Sequence, residues 1–412
     1  MDEPVIIAGH TLKFDAAGRL VPWTSWTDAL ERELAFYRQC PVDNGYPRFA
    51  CETFLDENWA PHPDRTDTVP ATQNGMGIVS YLKCHEWRRR RGVQDTLCLS
   101  TARSLGDYLV RECGAPADGR YAGFTRSTGR RGGFPQVPDS GSQSDRPYEI
   151  EPDKGGIAGY ALMQLFKACG DSRYREQALR NARTLAANQQ EGDAAHSPWP
   201  FRVDYRSGEA RGLVSGNMTY ILRLFDELIA QGHGEFTAPR ASLWAWIKRH
   251  QIPSASADGA LFAQFFEDHD TPTNRTAWAP LNLARYLLEG RARLDPDWQA
   301  DAEALIAFVR RTFTHTEFGV RVCHEQDEDH QSWGGVNSTY GAVLALAAKA
   351  AGSSSLADEA RQALDFTLYS IDAEGRPRDV HLSGSPGGWQ TDAYTDVLHN
   401  FMDAIGAFPE WA

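Results

Sequence analysis

The chain has 412 residues, 42% of them hydrophobic and 11% aromatic, which is ample apolar surface for a packed core and excludes disorder over most of its length. A net charge of −13, from 55 acidic against 42 basic residues, disfavours nucleic acid and anionic membrane surfaces as partners. No stretch approaches the ~18 apolar residues of a membrane span, and the start lacks a basic region followed by a long apolar run.

Apolar residues spaced by three and four predict twelve helices in chain order, near 24–39, 73–90, 95–112, 155–168, 171–189, 215–231, 238–250, 276–290, 297–313, 335–350, 355–370 and 391–407. The run Arg88 to Arg91 ends the second of these, where cations oppose the helix dipole, and reads as a solvated helix C-terminus. Short joints such as Cys169-Gly-Asp-Ser172 alternate with long loops such as 113–154, 190–214, 251–275, 314–334 and 371–390, so the helices come in pairs.

The helices that follow long loops start near 73, 155, 215, 276, 335 and 391, the last five about 60 residues apart, which is a repeat. Several starts are rich in small residues: Asn74-Gly-Met-Gly77, Lys154-Gly-Gly-Ile-Ala-Gly159, Ser215-Gly-Asn217 and Gly334-Gly335. Small residues allow close packing there and leave free helix N–H groups open to a ligand. Pairing helix 24–39 with helix 391–407 closes residues 1–412 into one all-α domain, an (α/α)6 toroid of six hairpins with short β-hairpins in its long loops.

Six hairpins whose long loops carry Trp, Tyr, Asp, Glu and Arg resemble the six-hairpin glycosidase superfamily and the (α/α)6 polysaccharide lyases over the whole chain. The resemblance implies a carbohydrate-active enzyme with its site among those loops, and an oligosaccharide or other small carbohydrate as its partner. The candidate residues themselves are read from the loops.

Hydrolysis of a glycosidic bond needs a carboxylic acid to protonate the leaving oxygen and a carboxylate to activate water or attack carbon. Asp153, beside the Gly-rich helix start, with Glu325 or Asp327 is the nominated pair, and Asp392 at the start of the last helix, 391–407, is a fourth candidate. Trp199, Trp278, Trp333 and Trp389 are the candidate sugar platforms. Arg126, Lys154, Arg202 and Arg275 would read a carboxylate if they converged, pointing to a uronic acid substrate. Gln73, Asn74, Tyr148, Glu149, Asp204, Asn217, His324 and His399 complete the substrate-binding set.

No cofactor is implied, and Asp327, Asp329 and His330 match neither zinc nor EF-hand spacing, reading as an exposed acidic loop. The seven cysteines read as reduced, with a thiol at Cys323 beside His324 as a sharper alternative, and the compartment expected is the cytoplasm. The leading expectation is a glycoside hydrolase. Two rivals are a lyase or epimerase centred on Tyr148, His324 and Arg126, and a non-catalytic helical scaffold that binds a protein partner.

Overall fold

Twelve helices of ten or more residues occur among the described residues of the computed structural model, which are 5–51, 55–56, 58–60, 70–127, 148–263, 273–332, 334–378 and 397–412. They are α1 Trp26–Tyr37, α2 Pro70–Arg90, α3 Leu97–Glu112, α4 Pro152–Cys169, α5 Ser172–Asn188 and α6 Thr219–Ala230. The second half holds α7 Thr237–Trp246, α8 Trp278–Gly290, α9 Trp298–Thr312, α10 Gly334–Ala351, α11 Ser354–Thr367 and α12 Leu398–Ala407. Each of the twelve segments expected from apolar spacing holds one of them.

The boundaries follow local chemistry. Ser25, Asp171 and Ser353 each accept a backbone N–H in the first turn of α1, α5 and α11, satisfying donors the helix itself cannot pair. Helix α4 opens on Pro152 and stops at Gly170, whose φ of 74° lets its N–H return to the Phe166 carbonyl at 2.7 Å. Arg88 corrects the solvated reading of the basic run. It is buried, and its guanidinium lies 3.3 Å from Asp95, while Arg89 and Arg90 both pair with Glu86 and Arg91 lies over the Trp87 ring.

Contacts divide the chain into two compact units, one of Met1–Pro41, Leu55–Ala60 and Pro280–Ala412, the other of Val42–Phe54 and Pro61–Ala279. In the second unit α2 packs on α3 and α4, α4 on α5 and α6, and α6 on α7. Glycines set these approaches. A Cβ on Gly75 would lie 2.7 Å from Ile157, one on Gly156 2.8 Å from Ile221, and one on Gly159 2.6 Å from Leu224. The small residues at the start of α4 are therefore the contact surface between neighbouring helices, and Gly155 is closed over by the Phe124 ring.

In the first unit α10 packs on α11 and α12. Trp26 of α1 meets Phe401 of α12 edge-on at 4.7 Å and donates its indole N–H to Asp365 of α11 at 2.7 Å. Short β-elements lie between the helices. Glu149–Ile150, Arg202–Asp204 and Ala210–Gly212 form an antiparallel three-stranded sheet, with Glu149 opposite Asp204 and Arg202 opposite Gly212. Thr314–Glu317 and Val320–Cys323 form a hairpin whose turn residues Phe318 and Gly319 both have positive φ, as a tight hairpin turn requires. Val320 and Val322 seat this hairpin against Ile7, Leu12, Leu20, Phe366 and Tyr369.

Candidate functional site

Two polar clusters occupy the loops that lead into helices, one in each unit. In the second unit, strand Glu149–Ile150 delivers Glu151, Asp153 and Lys154 to the first turn of α4, and strand Arg202–Asp204 brings Arg202 beside them. The Arg202 guanidinium lies 2.9 Å from Glu151, and the Lys154 ammonium lies 3.7 Å from both Glu151 and Asp153. All four side chains are almost fully buried, so two cations and two carboxylates cancel where isolated charges would be costly. Ser215 donates its hydroxyl to Asp153 Oδ2 at 3.0 Å, and its own N–H is held by Ser197. Asp153 Oδ1 is enclosed with no hydrogen-bond partner among the described residues.

Other candidates of the same loops are engaged by protein groups. Arg126 donates to the Glu112 carbonyl at 2.8 Å, closing the C-terminus of α3. Asp204 accepts the Arg206 guanidinium at 2.7 Å and the Arg206 N–H at 2.9 Å; the Arg206 bond, ahead of opposing burial, holds its carboxyl below the usual range. Tyr148 has φ 72° and lies under Arg206, whose guanidinium stands 3.7 Å from its ring centre.

In the first unit the hairpin ends on a group of imidazoles. His315 and Glu317 are two residues apart on one strand and so share a face, with His315 Nε2 2.7 Å from the Glu317 carboxylate. Ser332 donates to the same oxygen at 2.8 Å. His324 follows the strand's end and is pinned by its N–H to the Phe313 carbonyl at 2.8 Å. Its ring lies parallel to that of His330, 4.7 Å between centres and 15° between planes, with Phe313 at 5.5 Å and His315 at 5.8 Å. Burial above all, then His330 and His315, lower the His324 pKa to about 4, so the ring is neutral at pH 7. Burial likewise raises the Cys323 thiol, which removes the ground for a reactive thiolate there.

Trp199 is corrected as a sugar platform: it is fully buried, with its indole N–H on the Leu185 carbonyl at 3.0 Å, and has no face left for a ligand. Asn74 lies inside the first turns of α2 and donates to the Ala50 carbonyl, with Gln73 buried beside it. Asn217 and Trp278 are half-buried just before α6 and at the start of α8, and Arg275 donates to the Asp258 carbonyl. Glu149 is buried in its strand, whereas Glu325 and Asp327 are half-buried on the loop after the hairpin. His399 faces Asp403 at 3.3 Å within α12, and Asp403 lies 3.6 Å from Arg285 of α8. Asp392, Trp333 and Trp389 lie outside the described residues.

Glu151 and Ser215, which stand beside nominated residues, and His315, Glu317 and Ser332 are not among the candidates that loop composition and helix starts point to. The two-residue spacing of His315 and Glu317 on a strand was the available signal. Arg285 was also missed; it donates to Asn400, whose amide bonds Ser338 at 2.8 Å and Thr339 at 2.9 Å, tying α8, α10 and α12 together. Among the described residues no group of three or more His, Cys, Asp or Glu is arranged to hold a metal ion, and no helix is long and apolar enough to cross a membrane.

No family profile matches the chain, and no curated protein matches it in sequence. Solved structures do match in fold. A sugar epimerase from a ruminal bacterium is 11% identical with a TM-score of 0.64, covering 92% of this chain and 98% of its own. A D-mannose isomerase is 12% identical with a TM-score of 0.65, covering 95% of this chain and 99% of its own. A family 76 glycoside hydrolase from a bovine Bacteroides thetaiotaomicron strain is 10% identical with a TM-score of 0.61, covering 94% of this chain and 78% of its own. The chain thus has the six-hairpin, (α/α)6 toroid fold, with short β-hairpins in its loops.

Proposed function

We propose that this protein is a carbohydrate-active enzyme, a glycoside hydrolase acting on oligosaccharides of neutral sugars. The observation that carries the reading is Asp153, a buried carboxylate fixed on one oxygen by Ser215 while the other has no hydrogen-bond partner among the described residues. A buried carboxylate oxygen left unpaired is costly, and such groups concentrate where chemistry uses them. Likeness in fold to a glycoside hydrolase supports the class of chemistry. Neutral sugars are favoured because Arg126, Lys154, Arg202 and Arg275 each already engage a protein oxygen or carboxylate. The partner expected is the oligosaccharide itself.

The test is reducing-end release from a panel of oligosaccharides by the protein and by Asp153→Asn. A fall of about 10²- to 10⁴-fold is expected for loss of an acid–base group, with both proteins assayed well below the lowered unfolding temperature that removing one charge from the buried quartet brings. Equal release by both proteins removes Asp153 from the mechanism.

A second reading, epimerisation or isomerisation of a reducing sugar, is favoured by the neutral, enclosed His324 and by fold likeness to a sugar epimerase and a mannose isomerase. Abstraction of a proton beside a carbonyl by a neutral imidazole incorporates solvent deuterium at that carbon, and hydrolysis does not. Incubating aldoses in D2O therefore separates the two.

A further inference from the structure

We propose that His330 is a positioning residue for His324, lying flat on its ring to fix the imidazole plane for proton transfer. The inference rests on the second, proton-transfer reading and deepens it.

The geometry leaves His324 little freedom. Its backbone is fixed to Phe313, and the preceding Cys323 N–H is held by Asn337 Oδ1 at 3.1 Å. One face of the ring is covered by His330, while Phe313 meets it edge-on at 71° and His315 stands tilted at 38°. Among the described residues Nδ1 is enclosed without a hydrogen-bond partner, so proton exchange with a ligand would run through Nε2. His330 is itself exposed but anchored, with its Nε2 2.8 Å from the Asp327 carbonyl.

The charged and titratable groups around the ring come from both flanking elements. The hairpin contributes His315, paired with Glu317; the loop contributes His330, Asp327 and Asp329. Protonation of either neighbouring imidazole repels a second positive charge on His324, and the two aspartates oppose this more weakly. A flat partner also keeps water off one face, so removing it should readmit solvent. An apolar ring of the same shape would keep the cover and drop only the neighbouring charge.

The experiment is a histidine-labelled NMR titration of the full chain, with the His324 signal assigned from His324→Gln. In the unaltered protein the His324 midpoint is expected near 4, against 6.5 for an ordinary imidazole. His330→Ala should raise it by about one unit or more, a shift equivalent to about 1.4 kcal/mol per unit. His330→Phe should leave it closer to the unaltered value. A midpoint that is the same in the unaltered protein and in His330→Ala overturns the proposal, as does an unaltered midpoint near 6.5. Thermal unfolding of each variant confirms that the compared proteins are folded. Deuterium uptake by the sugar is read separately, so failure of the proton-transfer reading is told apart from failure of the positioning role.

Discussion

Replacing Asp365 by Asn should make the protein more stable at pH 8 and no different at pH 4. Asp365 accepts the Trp26 indole N–H at 2.7 Å, its other charged neighbour Arg361 is 3.9 Å away, and the side chain is nearly buried. Burial, ahead of the opposing hydrogen bond and Arg361, raises its pKa from 3.8 to about 6. A carboxyl whose folded pKa is raised stabilises the fold fully only below its unfolded pKa, and that contribution is lost as pH climbs through the folded value. Two units correspond to about 3 kcal/mol, lost between about pH 4 and 6. Asparagine keeps an oxygen for Trp26 and cannot ionise, so it escapes the loss. For a chain of 412 residues, an unfolding entropy of about 2.1 cal/mol/K per residue makes 3 kcal/mol worth about 3 °C. Thermal unfolding followed by near-UV circular dichroism from pH 4 to 8 measures the gap. A variant less stable than its parent at pH 8, or a gap that persists unchanged at pH 4, refutes the reasoning.

Two further substitutions test burial and packing. Glu33 of α1 is completely buried, neither carboxylate oxygen has a hydrogen-bond partner among the described residues, and burial raises its pKa well above the usual value. Glu33→Met should therefore stabilise by about 1–3 kcal/mol, most at high pH, and an unchanged or lower urea midpoint at pH 8 would contradict this. Gly156→Ala places a Cβ 2.8 Å from the Ile221 side chain and 3.0 Å from its backbone nitrogen, and should cost about 1–3 kcal/mol. Gly406→Ala in α12 meets open space and should gain up to about 1 kcal/mol; equal urea midpoints for the two alanine variants would count against the packing account.

The helices were legible because their signal is local: an apolar face needs only spacing along its own chain, and residues 171–189 carry both that spacing and the Asp171 cap. What a residue faces is not local, and there the reading divided. Gly155 and Gly156 fit a ligand-open helix start and a close helix contact equally well in sequence, since both need a missing side chain. Phe124 and Ile221, distant along the chain, decide for contact. Trp199 shows the same limit. Its position in a long loop suggested a platform, and its burial against Phe225 could come only from the fold. Arg88 sits in a basic run and is nonetheless buried because Asp95, just beyond the helix, turns back to meet it.

The satisfied groups also constrain which chemistry is left. Ser332 gives its proton to Glu317, and His315 faces that same carboxylate, so the hydroxyl is not set against an imidazole base as an activated nucleophile requires. The Cys323 thiol is buried and held protonated. In the second unit, Lys154 and Arg202 balance Glu151 and Asp153 within one buried group. An anionic sugar could enter that group only by displacing a carboxylate already paired, and the partner lost would leave a buried charge uncompensated. Under the proposed readings, acid–base transfer to an uncharged sugar through Asp153 or through His324 would ask for no such displacement. Among the described residues, Asp153→Asn and His324→Gln, each compared below its unfolding temperature, are therefore the substitutions that test the two proposed readings.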